Sequence, residues 1–146
     1  MSSDPAFDLE QVLPYRLNQA AEAASLAFQD VYRKRHGMTR PEWRVLANLG
    51  QFGSMTATDI STRAKIHKTK VSRAVRSLEQ RRWLARTPLD EDRRIEILTL
   101  TRTGERAYRD LVQVAAKFEA DLLAELGKNA GRALDTGLAA IADRYV

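Results

Sequence analysis

Cations and hydroxyls stand at helical spacing in the segment 67–83, HKTKVSRAVRSLEQRRW. At 3.6 residues per turn, Val71, Val75 and Leu78 share one stripe, while Lys68, Lys70, Ser72, Arg73, Arg76 and Gln80 share the opposite face. The stripe pins the helix to a small core and leaves the outer face to chemistry. Lys and Arg so placed hold phosphates and read guanine edges, and the hydroxyls of Thr69 and Ser72 bond phosphates or bases. The candidate DNA-contacting residues are therefore Lys68, Thr69, Lys70, Ser72, Arg73 and Arg76. The plainer alternative is a solvated amphipathic face.

A second charged group lies just beyond. Residues 84–88 read as a short strand, 89–94 (LDEDRR) as a polar turn, and Ile95, Ile97, Leu98 and Leu100 as a second β-like run. An Arg at the tip of such a hairpin can enter the narrow, negative minor groove, which nominates Arg93 and Arg94. The acids Asp90, Glu91 and Asp92 would repel phosphate, so they need a local task. Asp92 is expected to pair with a nearby Arg and hold the tip in shape; a merely solubilising turn is the alternative.

Composition narrows the classes. The 146 residues suit one domain able to bury a core. The absence of Cys removes disulfides, thiolate metal sites, Cys nucleophiles and thiol redox sensing. The two His are 31 positions apart, and no HExxH, GxSxG or P-loop pattern is present, so no enzyme, metal or cofactor is expected. No apolar run reaches the ~18–20 residues of a membrane span. The first residues carry an acid and no apolar run, so no secretory signal is expected and the cytoplasm is the default. The net charge of +5 is uneven: residues 54–106 hold 13 Lys/Arg and 7 Asp/Glu, the rest 11 and 12. Concentrating the excess in one block fits a phosphate partner that releases counterions.

The elements that must position these groups are mostly helical. After a loose leader at 1–7, an apolar pattern from Asp8 to His36 (Leu9, Leu13, Leu17, Ala20, Ala24, Phe28, Val31) predicts a helix that Pro14 either bends or begins. Gly37 ends it. Thr39-Arg40-Pro41-Glu42 predicts a capping box before a stripe of Trp43, Leu46, Leu49 and Phe52, stopped by Gly53. Thr56 opens a short helix with Ala57, Ile60 and Ala64 inward, and the basic helix follows near His67. After the hairpin, Thr101 caps a long helix to Gly127, and a last one runs from about Asn129. The fold class is mostly α with minor β: a winged helix-turn-helix with long N- and C-terminal dimerisation helices. It divides into an N-terminal helix (1–37), a DNA-binding region (38–101) and C-terminal dimerisation helices (102–146), one intertwined domain overall.

These residues resemble the MarR family of bacterial transcriptional regulators. The likeness is carried by Val71-Ser72-Arg73 with Leu78-Glu79, by Asp92-Arg93-Arg94, and by Leu100-Thr101-x-x-Gly104, and it runs from about residue 8 to the end. It implies a homodimer reading a pseudo-palindrome in double-stranded DNA, with Arg94 in the minor groove and Asp92 bracing it. The helix at 101–126, ~38 Å long, overruns a compact winged unit and independently calls for a second copy, a monomeric helical bundle being the alternative. The chain departs from the family at three points: His67 where Ser or Asp usually starts the basic helix, and Lys65 and Arg82 where Gly is usual.

The resemblance also implies a small aromatic or carboxylate effector. Arg16, in Leu13-Pro14-Tyr15-Arg16-Leu17, is placed to clamp a carboxylate, with Tyr15 and Trp43 as ring-facing walls. An interfacial salt bridge is the alternative for Arg16. The reading is a repressor of this kind; a winged-helix protein-interaction module and a non-specific architectural DNA binder are the rivals.

Overall fold

The computed structural model describes residues 6–146. Its order is α1 (Leu13–His36), α2 (Arg40–Phe52), α3 (Ala57–Ala64), α4 (Lys68–Gln80), β1 (Leu84–Pro88), β2 (Glu96–Leu100), α5 (Arg102–Leu126) and α6 (Lys128–Tyr145), with a 3-10 turn at Leu9–Gln11 ahead of α1. This is the expected succession of four helices, a hairpin and two helices. The leader expected at 1–7 lies mostly outside the described residues; Ala6 and Phe7 are exposed and irregular.

The boundaries have local causes. Asp8 caps the separate 3-10 turn, and the chain is extended at Val12, so α1 starts at Leu13 with Pro14 in its first turn. There the missing N–H would have had no partner anyway, so Pro14 begins the helix and does not bend it. Gly37 closes α1 at φ 65. Thr39 Oγ1 caps α2 by accepting from Glu42 N at 3.3 Å. The reciprocal half of the expected capping box is absent, because the Glu42 side chain turns inward toward Arg81. The complete box forms one helix later, between Thr56 and Asp59.

The core gathers around α2, α3 and α4. Val45, Leu46, Leu49, Ile60, Val71, Val75, Leu78, Leu84 and Leu98 are all buried, joined by Tyr32 from α1 and by Ala107 and Leu111 from α5. Two inward assignments fail. Phe52 is 51% exposed at the end of α2, beneath the Arg63 guanidinium. Ala57 is exposed at the first position of α3, whereas Ala64 packs half-buried against the core as expected.

β1 and β2 pair antiparallel in the register Leu84↔Leu100 to Pro88↔Glu96. Ile95, expected in the second strand, belongs to the turn. Met55 adds an unexpected bridge, exchanging both backbone hydrogen bonds with Leu98 and tying the hairpin to the start of α3.

Thr101 caps α5 by accepting from Gly104 N and donates its own hydroxyl to Arg82 O. A Cβ at Gly104 would overlap the Trp83 carbonyl oxygen, and one at Gly50 would enter the Tyr108 ring. Both glycines let α5 lie directly against the winged unit. Burial in α5 ends at Leu111, and α6 has no buried residue. Leu13, Leu26, Val112, Leu123, Leu126, Leu134 and Leu138 are left exposed on these long helices.

Candidate nucleic-acid interface

One face of α4 is fixed by packing: Val71, Ala74, Val75 and Leu78 are each at most 3% exposed. The opposite face carries Lys68, Thr69, Lys70, Ser72, Arg73 and Arg76, all exposed. The structure thus gathers these six side chains on one surface. Among the described residues, none of their four cations enters an ion pair, whereas Arg33, Lys34, Arg35, Arg40, Arg81, Arg86, Arg94 and Lys117 each face a carboxylate. An uncompensated row of positive charge is an anion-binding surface.

The N-terminal end of α4 is capped by His67, whose Nδ1 accepts from Thr69 N at 3.1 Å. That bond requires an unprotonated Nδ1. The two positions flanking α4 take left-handed backbone, Lys65 at φ 54 and Arg82 at φ 64. A side chain there costs about 1–2 kcal/mol that Gly would not. Both side chains are exposed.

The hairpin tip is organised by Asp92. Its carboxylate accepts Arg94 N and Nε on Oδ1 and Arg94 Nη2 on Oδ2, at 3.0–3.1 Å. The Arg94 side-chain bond holds the Asp92 carboxyl below the usual range and raises the guanidinium in turn. Arg93 is exposed beside it. Sequence reasoning missed Arg86, which bonds Glu79 of α4 at 3.1 Å and lies 3.9 Å from Glu96 of β2. It links the hairpin to α4. Its position in a short β run gave no sign of it, since the partner is across a turn.

Of the three proposed clamp residues, two lie together within one chain and the third does not. Tyr15 and Arg16 line a shallow cleft of about 410 Å³ with Glu10 and Gln19 near the start of α1. Trp43 instead packs on Phe28 and Tyr32, with ring centroids 5.2 and 5.8 Å away. Phe28 lies 13 residues along α1 from Tyr15, or ~20 Å. The same aromatic cluster includes Phe118. Beside it, Arg40 grips both oxygens of Glu22 at 3.2 Å, a bond that lowers the Glu22 carboxyl pKa and raises that of Arg40. Among the described residues the buried Tyr32 hydroxyl has no hydrogen-bond partner, and burial pushes its pKa up. The sequence reading passed over Tyr32, Arg40 and Glu22; the Phe28/Tyr32 spacing of one helical turn was the available signal.

Among the described residues, no group of three or more His, Asp or Glu could hold a metal, and no helix is long and apolar enough to cross a membrane.

Comparison with known proteins agrees with this geometry. A sequence model of the MarR family matches residues 36–95, which span α2 to the hairpin tip. The chain is 30% identical over 125 residues to the homoprotocatechuate degradative operon repressor of Escherichia coli, covering 78% of this chain and 82% of that protein. It superposes with a TM-score of 0.81 on the MarR family transcriptional regulator SPO1453 from Silicibacter pomeroyi DSS-3, at 28% identity over 96% of this chain and 99% of that one. Bordetella bronchiseptica BpsR, whose structure concerns regulation of DNA binding by 6-hydroxynicotinic acid, shares the fold at a TM-score of 0.79 and 21% identity, over 94% and 97% of the two chains. With its winged helix-turn-helix and its likeness to these proteins, the chain belongs to the MarR family of DNA-binding transcriptional regulators.

Proposed function

We propose that the protein is a cytoplasmic, sequence-specific repressor that binds double-stranded DNA as a homodimer on a pseudo-palindromic operator. The observation that carries this is the exposed basic face of α4, unpaired among the described residues and backed by its buried apolar stripe. Lys68, Thr69, Lys70, Ser72, Arg73 and Arg76 enter a major groove, and Arg94, with Arg93 beside it, reaches the flanking minor groove. Asp92 supports the wing. The apolar residues left open on α1, α5 and α6 support a second copy packed along the segments 1–37 and 102–146. Half-sites then lie about 10 base pairs apart or near a multiple of that.

An aromatic carboxylate is the effector this reading favours, in keeping with the ligand named for BpsR. Arg16 and Tyr15 are the clamp. Trp43 joins them only if a partner chain brings its winged unit to their end of α1. The effector acts by shifting the separation of the two α4 helices between binding and non-binding spacings.

Fluorescence anisotropy tests the proposal. Purified protein is titrated onto DNA flanking its own coding sequence and onto a scrambled duplex, across a salt series. Preference for the flanking DNA with two subunits per site supports the regulator. Equal binding to both with a steep salt slope favours a non-specific architectural binder. Absence of binding at low salt favours a protein-interaction module.

A further inference from the structure

Arg81 stands just past the end of α4 as its C-cap. Its side chain turns away from the basic face and toward the end of α1. There Nη1 donates to the His36 carbonyl, and Nη2 donates to the Gly37 carbonyl at 2.9 Å. Nη2 also lies 3.5 Å from Oε2 of Glu42 in α2, and the guanidinium covers the Trp83 ring at 4.9 Å. The last carbonyls of a helix carry partial negative charge and have no partner within it. Glu42 is the one charged side chain in the buried core among the described residues, and its Oε2 has no hydrogen bond. A single cation thus compensates a helix end and a buried carboxylate at once.

The end of α1 is in turn tied to α5. Asp110 accepts two bonds from Arg35 at 2.6 Å and meets His36 Nε2 at 2.6 Å, while the His36 ring contacts Trp83 edge-on. A short charged path therefore runs from α5 through the end of α1 to α4. The apolar stripe of α4 fixes its depth in the core but is non-directional. The planar fork of an Arg fixes an angle.

We propose that Arg81 is a positioning residue: through His36, Gly37 and Glu42 it sets the tilt of α4 against the α1–α5 scaffold and delivers scaffold movement to the basic face. The structural half stands alone; the consequence for DNA rests on the regulator reading above.

The chain has no Cys, so Gln80→Cys and Gln113→Cys spin labels, on exposed positions of α4 and α5, report the relation of these helices. The full-length labelled protein is diluted with unlabelled chain so that only pairs within one chain are read. The test variant is Arg81→Met with Glu42→Gln, which avoids stranding a buried carboxylate and keeps the chain folded. Its thermal midpoint is expected within about 5 °C of the parent. The distance distribution is expected to broaden about twofold, and to stay broadened in Arg81→Lys, which keeps the charge but loses the fork. Affinity for a duplex selected by the parent protein from a random pool is expected to fall about tenfold, with random-duplex affinity changing less than about threefold. An unchanged distance distribution overturns the positioning role, whatever happens on DNA. A broadened distribution with an unchanged ratio of selected to random affinity overturns the delivery to the basic face. If the parent protein selects no sequence, the regulator reading falls, and the distance measurement still decides for or against Arg81.

Discussion

Arg94 grips Asp92 through both carboxylate oxygens while 91% of its own side chain stays in solvent. The pair is pre-shaped but open. Exposed ion pairs contribute little net stability, so Arg94 can exchange this carboxylate for another anionic site at small expense. Arg94→Ala is expected to weaken operator binding by about 1–2 kcal/mol and to erase any preference for A·T-rich over G·C-rich flanks. Asp92→Asn keeps an acceptor for Arg94 N and should weaken binding less. Competition between duplexes that differ only in their flanks separates the two; equal losses on both flanks in Arg94→Ala would remove Arg94 from the minor groove.

Arg73 lies mid-face on α4 and is exposed. If it reads a base, Arg73→Ala lowers specific affinity by about 1–3 kcal/mol and relaxes selectivity at one operator position. A uniform loss across all sequences, with a salt slope reduced by about one, would instead assign it to a phosphate.

Lys65 and Arg82 trade stability for charge. Lys65→Gly and Arg82→Gly are each expected to raise unfolding stability by about 0.5–1 kcal/mol, since Gly takes φ near +60° without steric penalty but loses more chain entropy. The same variants should bind random duplex more weakly, with a shallower salt dependence. Denaturant titration beside a salt series reads both effects. A variant that loses stability would show that the side chain, not the backbone, governs the turn.

Asp110 gives an acid-sensitive contribution. The Arg35 bonds hold its carboxyl below the ordinary aspartate value, with partial burial opposing and His36 assisting. A depressed native pKa means the folded chain binds this proton less readily than the unfolded one. The stabilisation is therefore complete above the unfolded value and lost as pH falls through the lower native value. Asp110→Asn should lower the thermal midpoint by a few degrees at most near neutrality, and the gap should close on acidification. A gap that persists at low pH would mean the loss is one of packing.

Most of the fold was legible because its punctuation is local. Thr39, Thr56, Thr101, Gly37, Gly53 and Gly127 mark helix ends by their own chemistry, and the stripe of α4 follows from spacing alone. The errors arose where tertiary partners decide. Glu42 leaves its capping role because Arg81, distant in sequence, offers it a counter-charge in the core. Phe52 keeps the helical phase of its stripe but outruns the core that would cover it. Tyr15 and Arg16, neighbours in sequence, do share a cleft, whereas Trp43 packs on Phe28, about 20 Å along α1 from Tyr15, a separation that no local signal shows. The members of the basic face were readable because all six belong to one helix. Arg81 and Arg86 were not, since their roles exist only between elements.

Gly104 bears on how α5 meets the winged unit. Its turn of α5 rests backbone against backbone on Trp83, with no yielding side chain between. The far end of the same helix, Leu126, lies 22 residues away, or ~33 Å. The missing methyl group thus seats the start of α5 directly on the segment that leaves α4, and a methyl there would prise the two apart.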